Sequence, residues 1–483
     1  MARVIGPALG VAMGLVTSAC IDPPTSNIEE DLTTQRAVTA LDQIREGDLQ
    51  TGAVCGGGIK RCFAHVLATP QGLVQAAAAP AGFGATDLQM AYKIPTTITG
   101  TPTVAIVDAF GYSTLESDLA TYRTQYGLPP CTTANGCLKI VNQSGAATPL
   151  PAQPPTSDDW TIETALDVDM ASAGCPKCKI LVVQAQDDTG NGLDVAQNAA
   201  ATLGAAVISN SWGGPEQAGQ SLDGEETYFN HPNIAVFVSA GDAGYDDAGQ
   251  GPDYPATSSY VIAVGGTHLV KDASTRGWTE TAWTSGGSAC SLSITKPAYQ
   301  TNSGCQFKAT TDIAAVGDPQ TGVAVYNTRN GGWTVVGGTS ASSPLVAAIF
   351  AATGNGTQTS GQFVKDNAAK LYDVTSGTNG TCTNAILCHA GVGWDGPTGY
   401  GTPNATALVG SATGTGSGSG TGSDNSGGTG VDGGGTSAPS GDNGSASDEV
   451  TGGCSTTNGS DLASVLSIGI VLVGLRRRAR VRG

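Results

Sequence analysis

The chain has 483 residues and a formal net charge of −18 at pH 7, from 22 lysines and arginines against 40 aspartates and glutamates. This acidic balance argues against nucleic acid as a partner, because phosphate binding needs clustered Lys and Arg. The length allows two or three domains, and the acidic charge suits an exported protein.

The first 20 residues are predicted to be an export signal. Arg3 is followed by an apolar run and by small residues before Cys20, which is the order found in signal peptides. The ending VTSAC resembles a lipobox, in which Cys20 would be lipidated and become the new N-terminus. Thr17 stands where such motifs usually have leucine, so cleavage of an ordinary signal peptide close by is the alternative.

Residues 21–82 are predicted to form a short propeptide-like or N-terminal region. Their sequence is mixed and ends in the Ala/Pro/Gly stretch QAAAAPAGFG, which is typical of a loop or a processing region. A folded body is then predicted over residues 83–409.

The folded body begins with alternating strand and helix patterns. The run 104–107 is apolar and β-branched, and it is followed by Asp108 and a helical pattern. A second helical pattern precedes another apolar run at 180–183. Strands that alternate with helices indicate βα units and a parallel sheet.

The second of these units carries a pair of acidic residues. Ile162, Leu166 and Met170 have helical spacing, so Glu163 and Asp167 are predicted to lie one turn apart on the same helix face. Two like charges in that arrangement destabilise a helix by about 0.2–0.5 kcal/mol. Either a solvated acidic face or a functional pair of carboxyl groups would explain them.

Two further strand patterns end in glycine-rich loops. The stretch AVISNSWGGPE leads into a Ser-Trp-Gly-Gly loop, and IAVFVSAGDAG runs from an apolar strand into Asp242 between glycines. Loops at the carboxyl ends of strands carry the site in sheets of this kind, and flanking glycines let a backbone approach an acid closely. A plain turn aspartate is the alternative for Asp242.

The stretch VVGGTSASSPLVAAIF places Ser340 after a Gly-Gly turn, at the start of an Ala-rich helix. A nucleophilic serine is favoured there, because the free N–H groups and the positive end of the helix dipole stabilise negative charge. An ordinary Ser or Thr N-cap is the alternative.

Ten of the twelve cysteines fall into five close pairs, and local disulfides in an oxidising compartment are predicted for them. Zinc ligands would need clustered CxxC and His patterns, whereas the chain has a single CxxC with no histidine nearby. The remaining Cys20 and Cys454 belong to targeting segments. The pairs are Cys55 with Cys62, Cys131 with Cys137, Cys175 with Cys178, Cys290 with Cys305, and Cys382 with Cys388.

The C-terminal end is predicted to lie outside the folded body. Residues 410–453 are almost wholly Gly, Ser, Thr, Asp and Asn, so a flexible linker is expected. Residues 454–483 hold a Cys motif, an apolar run at 462–475 and five arginines among the last eight residues. This tail resembles the cysteine-bearing sorting tails of the myxobacterial type, and a simple membrane anchor is the alternative.

Three motifs together resemble those of the sedolisins, the serine-carboxyl peptidases. GTSASSP is similar to the serine motif that sedolisins share with subtilisins, ETALD to their glutamate and aspartate motif, and SAGDAG to their oxyanion motif. None of the four histidines stands in the HGT context of the subtilisin base. The resemblance implies an α/β fold, subtilisin-like and doubly wound, with a mostly parallel sheet and helices on both faces.

The resemblance also implies a role for individual residues. Ser340 would be the nucleophile, Glu163 the general base, Asp167 its partner and Asp242 the oxyanion stabiliser. Asp108 would be structural, because there is no histidine for it to orient. Sedolisins normally carry a large folded propeptide, which residues 21–82 are too few to supply.

Two Gly-rich loops, LYDVTSGTNG and AGVGWDGPTGYGTPN, resemble the loops of the sedolisin calcium site. The resemblance implies one structural Ca²⁺, bound by the carboxylates of Asp373 and Asp395 and the carbonyls of Val374, Gly391 and Gly393. Carboxylate and carbonyl oxygens are the ligands that Ca²⁺ takes. Considered without the resemblance, such loops are typical of plain turns.

Together these features predict an exported endopeptidase that acts at acid pH, at the cell surface, in the outer membrane or outside the cell. Its expected partners are protein or peptide substrates and a membrane, reached through the C-terminal tail and a lipidated Cys20. The chain is expected to be a monomer. Two alternatives are a catalytically inactive surface or adhesion protein on the same fold, and a neutral subtilisin-like hydrolase.

Overall fold

A computed structural model of the protein describes residues 50–56, 59–68, 76–219 and 221–411. The predicted signal, the linker from residue 412 onward and the C-terminal tail, with Cys20 and Cys454, lie outside these residues. All the described residues belong to one compact unit.

The helices alternate with short strands along the chain. Within the described ranges, the α-helices are α1 (Ala85–Ala91), α2 (Leu115–Gln125), α3 (Trp160–Gly174), α4 (Gly192–Thr202), α5 (Asp223–Phe229), α6 (Thr339–Ala352), α7 (Gly361–Asp366) and α8 (Ala405–Leu408). The strands there are β1 (Gln50–Ala53), β2 (Arg61–Cys62), β3 (His65–Ala68), β4 (Thr103–Ala109), β5 (Leu138–Asn142), β6 (Lys179–Ala185), β7 (Val207–Asn210), β8 (Trp212–Pro215), β9 (Ala235–Ser239), β10 (Asp253–Tyr254), β11 (Ile262–Lys271), β12 (Trp278–Ala282), β13 (Ala289–Cys290), β14 (Ala309–Thr310), β15 (Ile313–Val316), β16 (Val323–Asn327), β17 (Gly332–Gly337), β18 (Leu371–Tyr372) and β19 (Thr402–Pro403).

The largest sheet has eight strands built from the apolar runs of the sequence. Its order is β5-β6-β4-β7-β9-β11-β12, and β15 also pairs with β11. Every pair is parallel except β11 with β12. Strands covered on both faces are apolar along their length, and in β4 all residues after the first are buried. The predicted subtilisin-like α/β fold is confirmed.

The strand order reverses at β4. The chain passes from β4 to β5, returns to β6 beside β4, and then crosses to β7 and on to β9 and β11. A reversal of this kind opens a crevice at the carboxyl ends of the strands. Asp108 near the end of β4, Ser211 directly after β7 and Asp242 shortly after β9 all lie at that end.

Two helices, α3 and α6, pack against each other and are buried along their whole length. Gly174, the last residue of α3, permits a close approach, because a Cβ there would lie 2.7 Å from the Cβ of Ala348. A helix enclosed by protein on all sides needs no polar face. The two helices are therefore a rigid support for the polar side chains in their first turns.

The segment that precedes residue 83 is part of the packed structure. The strand β1 pairs with β3, β3 pairs with β17, and β2 pairs with β8, all antiparallel. The sequence interpretation placed residues 21–82 in a separate propeptide-like region and did not anticipate these strands. Paired structure therefore begins before the boundary predicted at residue 83.

The five predicted disulfides are all present, so the prediction from cysteine spacing is confirmed. Each closes a short stretch of chain, with sequence separations from 3 to 15 residues. Among the described residues, no helix is both long and apolar enough to cross a bilayer.

Candidate active site

Ser340 is the second residue of α6, and its side chain is fully buried. The helix follows Gly338, whose backbone has φ of +101°, and no side chain caps it. The alternative of a Ser or Thr N-cap is therefore wrong. The Ser340 Oγ instead donates a hydrogen bond to the backbone oxygen of Ser211, at 3.3 Å.

Glu163 and Asp167 lie one turn apart in α3, as predicted, and both side chains are fully buried. The alternative of a solvated acidic face is therefore wrong. The Ser211 hydroxyl donates to Asp167 Oδ1 at 2.8 Å, so Ser211 contacts both Asp167 and Ser340. No hydrogen bond of normal geometry reaches either Glu163 oxygen within the described part of the chain.

The two carboxyl groups affect each other's protonation. Burial raises the pKa of Glu163 and of Asp167 well above the usual range, and the nearby Asp108 raises both further. The hydroxyl of Ser340 acts in the opposite direction and lowers the pKa of Glu163, and the hydroxyl of Ser211 lowers the pKa of Asp167. Carboxyl groups that share a buried site retain protons that isolated acids release. Both acids of the pair therefore stay protonated to higher pH than an isolated carboxyl group.

Asp108, which the sequence interpretation considered structural, lies beside this pair. It is the penultimate residue of β4 and is fully buried. Burial raises its pKa to about 7, and the nearby Thr164 opposes that shift. Its place at a strand end was visible in the sequence, but its closeness to Glu163 and Asp167 depends on the packing of β4 against α3.

Asp242 lies in the loop after β9 and contacts the first residue of α6. The backbone N–H and the hydroxyl of Thr339 both donate to Asp242 Oδ1, each at 2.7 Å. Burial raises the pKa of Asp242 to about 8, and the two Thr339 hydrogen bonds oppose this. Because Oδ1 already accepts two hydrogen bonds, the proton of the neutral acid belongs on Oδ2. Oδ2 is buried and accepts or donates no other hydrogen bond among the described residues.

His65 also lies at this site, although its sequence context gave no indication of that. Its Nε2 is 3.4 Å from Asp242 Oδ2, and burial lowers the pKa of His65 to about 4. The hydroxyl of Ser340 bonds to Ser211 and not to this ring. The apolar run CFAHVLA, in which His65 is the one polar residue, was a signal that could have indicated a buried strand here.

A disulfide adjoins the carboxyl of Glu163. The Sγ atoms of Cys55 and Cys62 and a Glu163 oxygen all lie within 4.8 Å of one another. Both sulfurs are bonded in the Cys55–Cys62 disulfide, and metals bind thiolates rather than disulfides. This cluster is therefore not a metal site.

The residues of the predicted calcium site lie in two neighbouring loops. The Gly393 N–H donates to Asp373 Oδ2 at 2.9 Å, and the Gly391 N–H donates to Asp395 Oδ2 at 2.9 Å. Val374, in the first of these loops, is buried. Burial raises the pKa of Asp395 to about 7, and the Asp373 carboxyl also raises it. A divalent cation would relieve the repulsion between two such carboxyl groups, so the donor chemistry fits Ca²⁺.

The structure thus brings the predicted residues together in two groups. Glu163, Asp167, Asp242 and Ser340 meet at the carboxyl ends of the parallel strands, where Ser211 and Thr339 link three of them by hydrogen bonds. The residues predicted to bind calcium form the second group, in loops that follow α7. The first group offers a hydroxyl, two carboxyl groups beside it, and a third carboxyl with an available oxygen. Those are the components of acyl transfer through a serine.

Comparison with known proteins shows which family this chain resembles. Residues 157–412 match the model of the Subtilase family. The chain is 31% identical to kumamolisin of Bacillus sp. (strain MN-32) over 364 residues, which cover 69% of this chain and 64% of kumamolisin. It is 30% identical to sedolisin of Pseudomonas sp. (strain 101) over 294 residues, which cover 52% of this chain and 49% of sedolisin. The matched part spans less than two thirds of the length of either relative.

A solved structure has the same fold. The Pseudomonas sedolisin, described as a serine-carboxyl proteinase complexed with two molecules of pseudo-iodotyrostatin, superposes with a TM-score of 0.58 at 25% identity. The superposition covers 70% of this chain and 98% of that one.

Proposed function

Because the chain belongs to the subtilase family, we propose that it is a peptidase of the sedolisin type, a serine-carboxyl endopeptidase that hydrolyses peptide bonds in proteins at acid pH. One observation carries the proposal. The Ser340 hydroxyl and the Glu163 and Asp167 carboxyl groups are buried together next to Asp242, and the Ser340 hydroxyl forms no hydrogen bond with a histidine among the described residues.

In the proposed acylation step, Ser340 Oγ attacks the carbonyl carbon of the scissile bond and Glu163 takes the hydroxyl proton. When the C–N bond breaks, Glu163 returns that proton to the leaving amine. Water then attacks the acyl ester and the same carboxyl group acts again as base and acid. Asp167 is a positioning residue, held by the Ser211 hydroxyl and coupled to Glu163.

Asp242 would stabilise the oxyanion that forms in each step. Its Oδ1 is occupied by Thr339, so the proton on Oδ2 is available to donate toward developing negative charge. A carboxylic acid can act in this way only while it is protonated, which burial favours because it raises the pKa of Asp242 to about 8. The mechanism therefore requires one acid that holds a proton and another that accepts one.

A structural calcium ion is part of the proposal. Asp373 and Asp395, with the carbonyls of Val374, Gly391 and Gly393, would hold it, and the ion would fix the two loops that follow α7. The proposed cellular setting is export to the cell surface or beyond. It is supported by the five disulfides and by the acidic net charge of the chain. We further propose that the substrates are proteins or peptides and that the protein is a monomer. It would be attached to a membrane through the C-terminal tail and a lipidated Cys20.

The test is hydrolysis of an acid-denatured protein at about pH 4, near the unperturbed pKa of carboxyl groups. We expect Ser340→Ala to lower turnover by at least about 10³-fold, since it removes the nucleophile. Ser343→Ala is the matched control, because that buried hydroxyl lies in the same helix and bonds to Ser209 at 3.0 Å, outside the proposed site. Equal turnover in wild type and Ser340→Ala would exclude the serine mechanism.

A further inference from the structure

The acid proposed to stabilise the oxyanion is carried by a loop. This Asp242 loop, residues 240–246, directly follows β9. Thr339 at the start of α6 bonds to Oδ1 of Asp242, whereas the proton that the mechanism needs lies on Oδ2. A loop has no strand or helix to fix its backbone. The direction of the Asp242 carboxyl therefore depends on what holds the backbone of this loop.

The backbone of the Asp242 loop is held by the clamp segment, residues 285–288. Three backbone hydrogen bonds join the two, on both sides of Asp242. They run from the Gly287 N–H to the Gly241 oxygen at 2.6 Å, from the Gly244 N–H to the Ser285 oxygen at 2.9 Å, and from the Asp246 N–H to the Ser288 oxygen at 2.8 Å. The contact is close, because a Cβ on Gly287 would lie 2.2 Å from the Ala240 oxygen. Displacement of the clamp segment would therefore displace the backbone that carries Asp242.

The clamp segment is itself held by one buried side chain, that of Asn379. The Asn379 Nδ2 donates to the Gly286 oxygen and to Ser288 Oγ, each at 2.7 Å. The backbone oxygen of Asn379 accepts the N–H of Tyr245 at 2.9 Å. Asn379 therefore bonds to the clamp segment through its amide and to the Asp242 loop through its main chain.

The residues behind Asn379 are fixed as well. Its N–H donates to the Cys388 oxygen at 3.0 Å, and Cys388 forms the disulfide with Cys382. The Ser288 hydroxyl, which accepts from the Asn379 amide, donates to the Leu387 oxygen at 2.8 Å. The Asn379 amide thus belongs to a loop with a covalent closure, which suits a group that must hold another in place.

Hydrogen bonding of the Asn379 amide is incomplete. Its Oδ1 is buried and accepts no hydrogen bond within the described ranges, and an unsatisfied buried acceptor costs about 1–3 kcal/mol. Stability alone therefore does not favour an asparagine at this position. Departures from such local rules concentrate at functional sites. This one is separated by two hydrogen bonds from Gly241, the neighbour of Asp242.

We propose that Asn379 is a positioning residue for peptide hydrolysis: its amide holds the clamp segment against the Asp242 loop and so fixes the direction in which the Asp242 acid donates. This inference rests on the proposed peptidase function. Asn379 does not contact the substrate in this assignment and acts only through Asp242. A donor aimed at an oxyanion must be placed to within about 0.5 Å, which the bonds from Thr339 to the other carboxyl oxygen do not ensure.

The first test is a double-mutant cycle on hydrolysis of a denatured protein at about pH 4. We expect Asn379→Ala to lower kcat per folded molecule by about 10–100-fold with KM unchanged, because a misplaced donor loses transition-state stabilisation. In an Asp242→Ala background the same substitution should change kcat by less than about 3-fold, since the group through which it acts is gone. An equal loss in both backgrounds, or no loss in either, would overturn the inference and leave the peptidase function intact.

Asn355→Ala is the matched control. The buried Asn355 amide also donates to a backbone oxygen and to a hydroxyl, those of Leu408 at 2.9 Å and Thr353 at 2.8 Å. It lies beyond the C-terminal end of α6, about 20 Å along the helix axis from Ser340. Asn355→Ala should therefore lose stability and keep its kcat per folded molecule in both backgrounds.

Ser288→Ala is a milder probe that keeps the proposal testable if Asn379→Ala does not fold. It removes one of the two acceptors of the Asn379 amide. We expect it to lower kcat by about 3–10-fold, the effect of one hydrogen bond, and to do so only where Asp242 is present. The same loss in the Asp242→Ala background would contradict the assignment.

A second test does not depend on activity. Amide hydrogen exchange of the Ser340→Ala protein reports on the Gly287 N–H, which donates to Gly241. We expect Asn379→Ala to accelerate exchange of that amide by at least about 10-fold more than exchange of the amides in the core strand β4. Asn355→Ala should not. Equal acceleration at Gly287 and in β4 would overturn positioning by Asn379, whereas an inactive wild-type enzyme would overturn the peptidase function.

Discussion

Four carboxyl groups meet at the proposed site, and their protonation states determine what each can do. Asp108, Glu163, Asp167 and Asp242 are all buried, and burial is the largest cause of the raised pKa of each. In the covered site these acids remain neutral to higher pH than free carboxyl groups. Access of water to the site during catalysis would lower each pKa, so the working enzyme should act at lower pH than these pKa values suggest.

The pH dependence of hydrolysis tests the role of Asp242. Its acid form is the donor, so activity should fall as pH rises through the pKa of Asp242, which burial raises to about 8 and which access of water would lower. We expect Asp242→Ala to lower kcat by about 10²–10³-fold. In Asp242→Asn the amide donates without a proton, so its remaining activity should persist to higher pH than that of wild type.

Asp242→Ala lacks a donor and Asp242→Asn retains one, so pH profiles of kcat for the two purified variants distinguish them. If Asp242→Asn retained the wild-type alkaline limb, that limb would belong to another group of the coupled cluster.

At the scale of elements, the junction between β17 and α6 determines the geometry of the site. Gly338 connects the two with φ of +101°, a conformation that costs L-residues about 1–3 kcal/mol. It also leaves room for both Phe63 and Asp242. Consequently the first two residues of α6 can present an N–H to Asp242 and a hydroxyl to Ser211.

Replacing that glycine should therefore damage stability and activity together. We expect Gly338→Ala to lower the free energy of unfolding by about 1–3 kcal/mol and to reduce peptide hydrolysis per folded molecule by at least about 10²-fold, because a group 1 Å out of place can cost that much. Gly354→Ala is the matched control at the other end of α6. It has φ of +77° but no atom within 4 Å of the added Cβ.

Denaturant unfolding and active-site titration separate the two effects. Gly354→Ala should lose stability by strain alone and keep its activity per folded molecule. A Gly338→Ala enzyme as active as the Gly354→Ala enzyme would show that the close approach of Gly338 to Phe63 and Asp242 has no catalytic consequence.

At the scale of the whole molecule, loops far apart in sequence are fixed by local covalent and ionic constraints. Five short-range disulfides stabilise individual loops, since each closes 15 residues or fewer. The loops with Asp373 and Asp395 have no disulfide between them, although one closes the stretch from Cys382 to Cys388. An ion that bound both carboxyl groups would connect them, and its binding energy would add to the stability of the fold.

Calcium should therefore raise the melting temperature. Free Ca²⁺ at 100 times its Kd would add about 2.7 kcal/mol, a shift of several degrees for a large domain. We expect EDTA to remove this gain in wild type and Asp395→Asn to abolish the response, because one of its two carboxylate oxygens is lost as a ligand. Asp366→Asn, at an exposed acid in α7 that bonds only to Gln362 in the structure, should respond as wild type does. Identical scanning calorimetry traces with Ca²⁺ and with EDTA would show that no calcium site stabilises the protein.

The sequence by itself determined the features that depend on neighbouring residues. Apolar runs of strand length and helical spacing identified β4, β6, β7, β9 and α6, because burial on both faces requires such runs. Spacing identified the five disulfides, since a short loop brings two cysteines together whatever the rest of the chain does. The same spacing put Glu163 and Asp167 on one helix face, which α3 confirms.

Only the tertiary structure decided how distant segments meet. The packing of α3 and α6 at the point where the strand order reverses places Asp108 beside Glu163. The same packing lets Ser211 form hydrogen bonds with both Asp167 and Ser340. The strands β2 and β3 have little signal of their own, because they are short and pair through the main chain with β8 and β17, which lie about 150 and 270 residues away. The hydrogen bond from the Phe63 N–H to the Ser211 carbonyl oxygen follows from those long-range pairings and could not be read from local pattern.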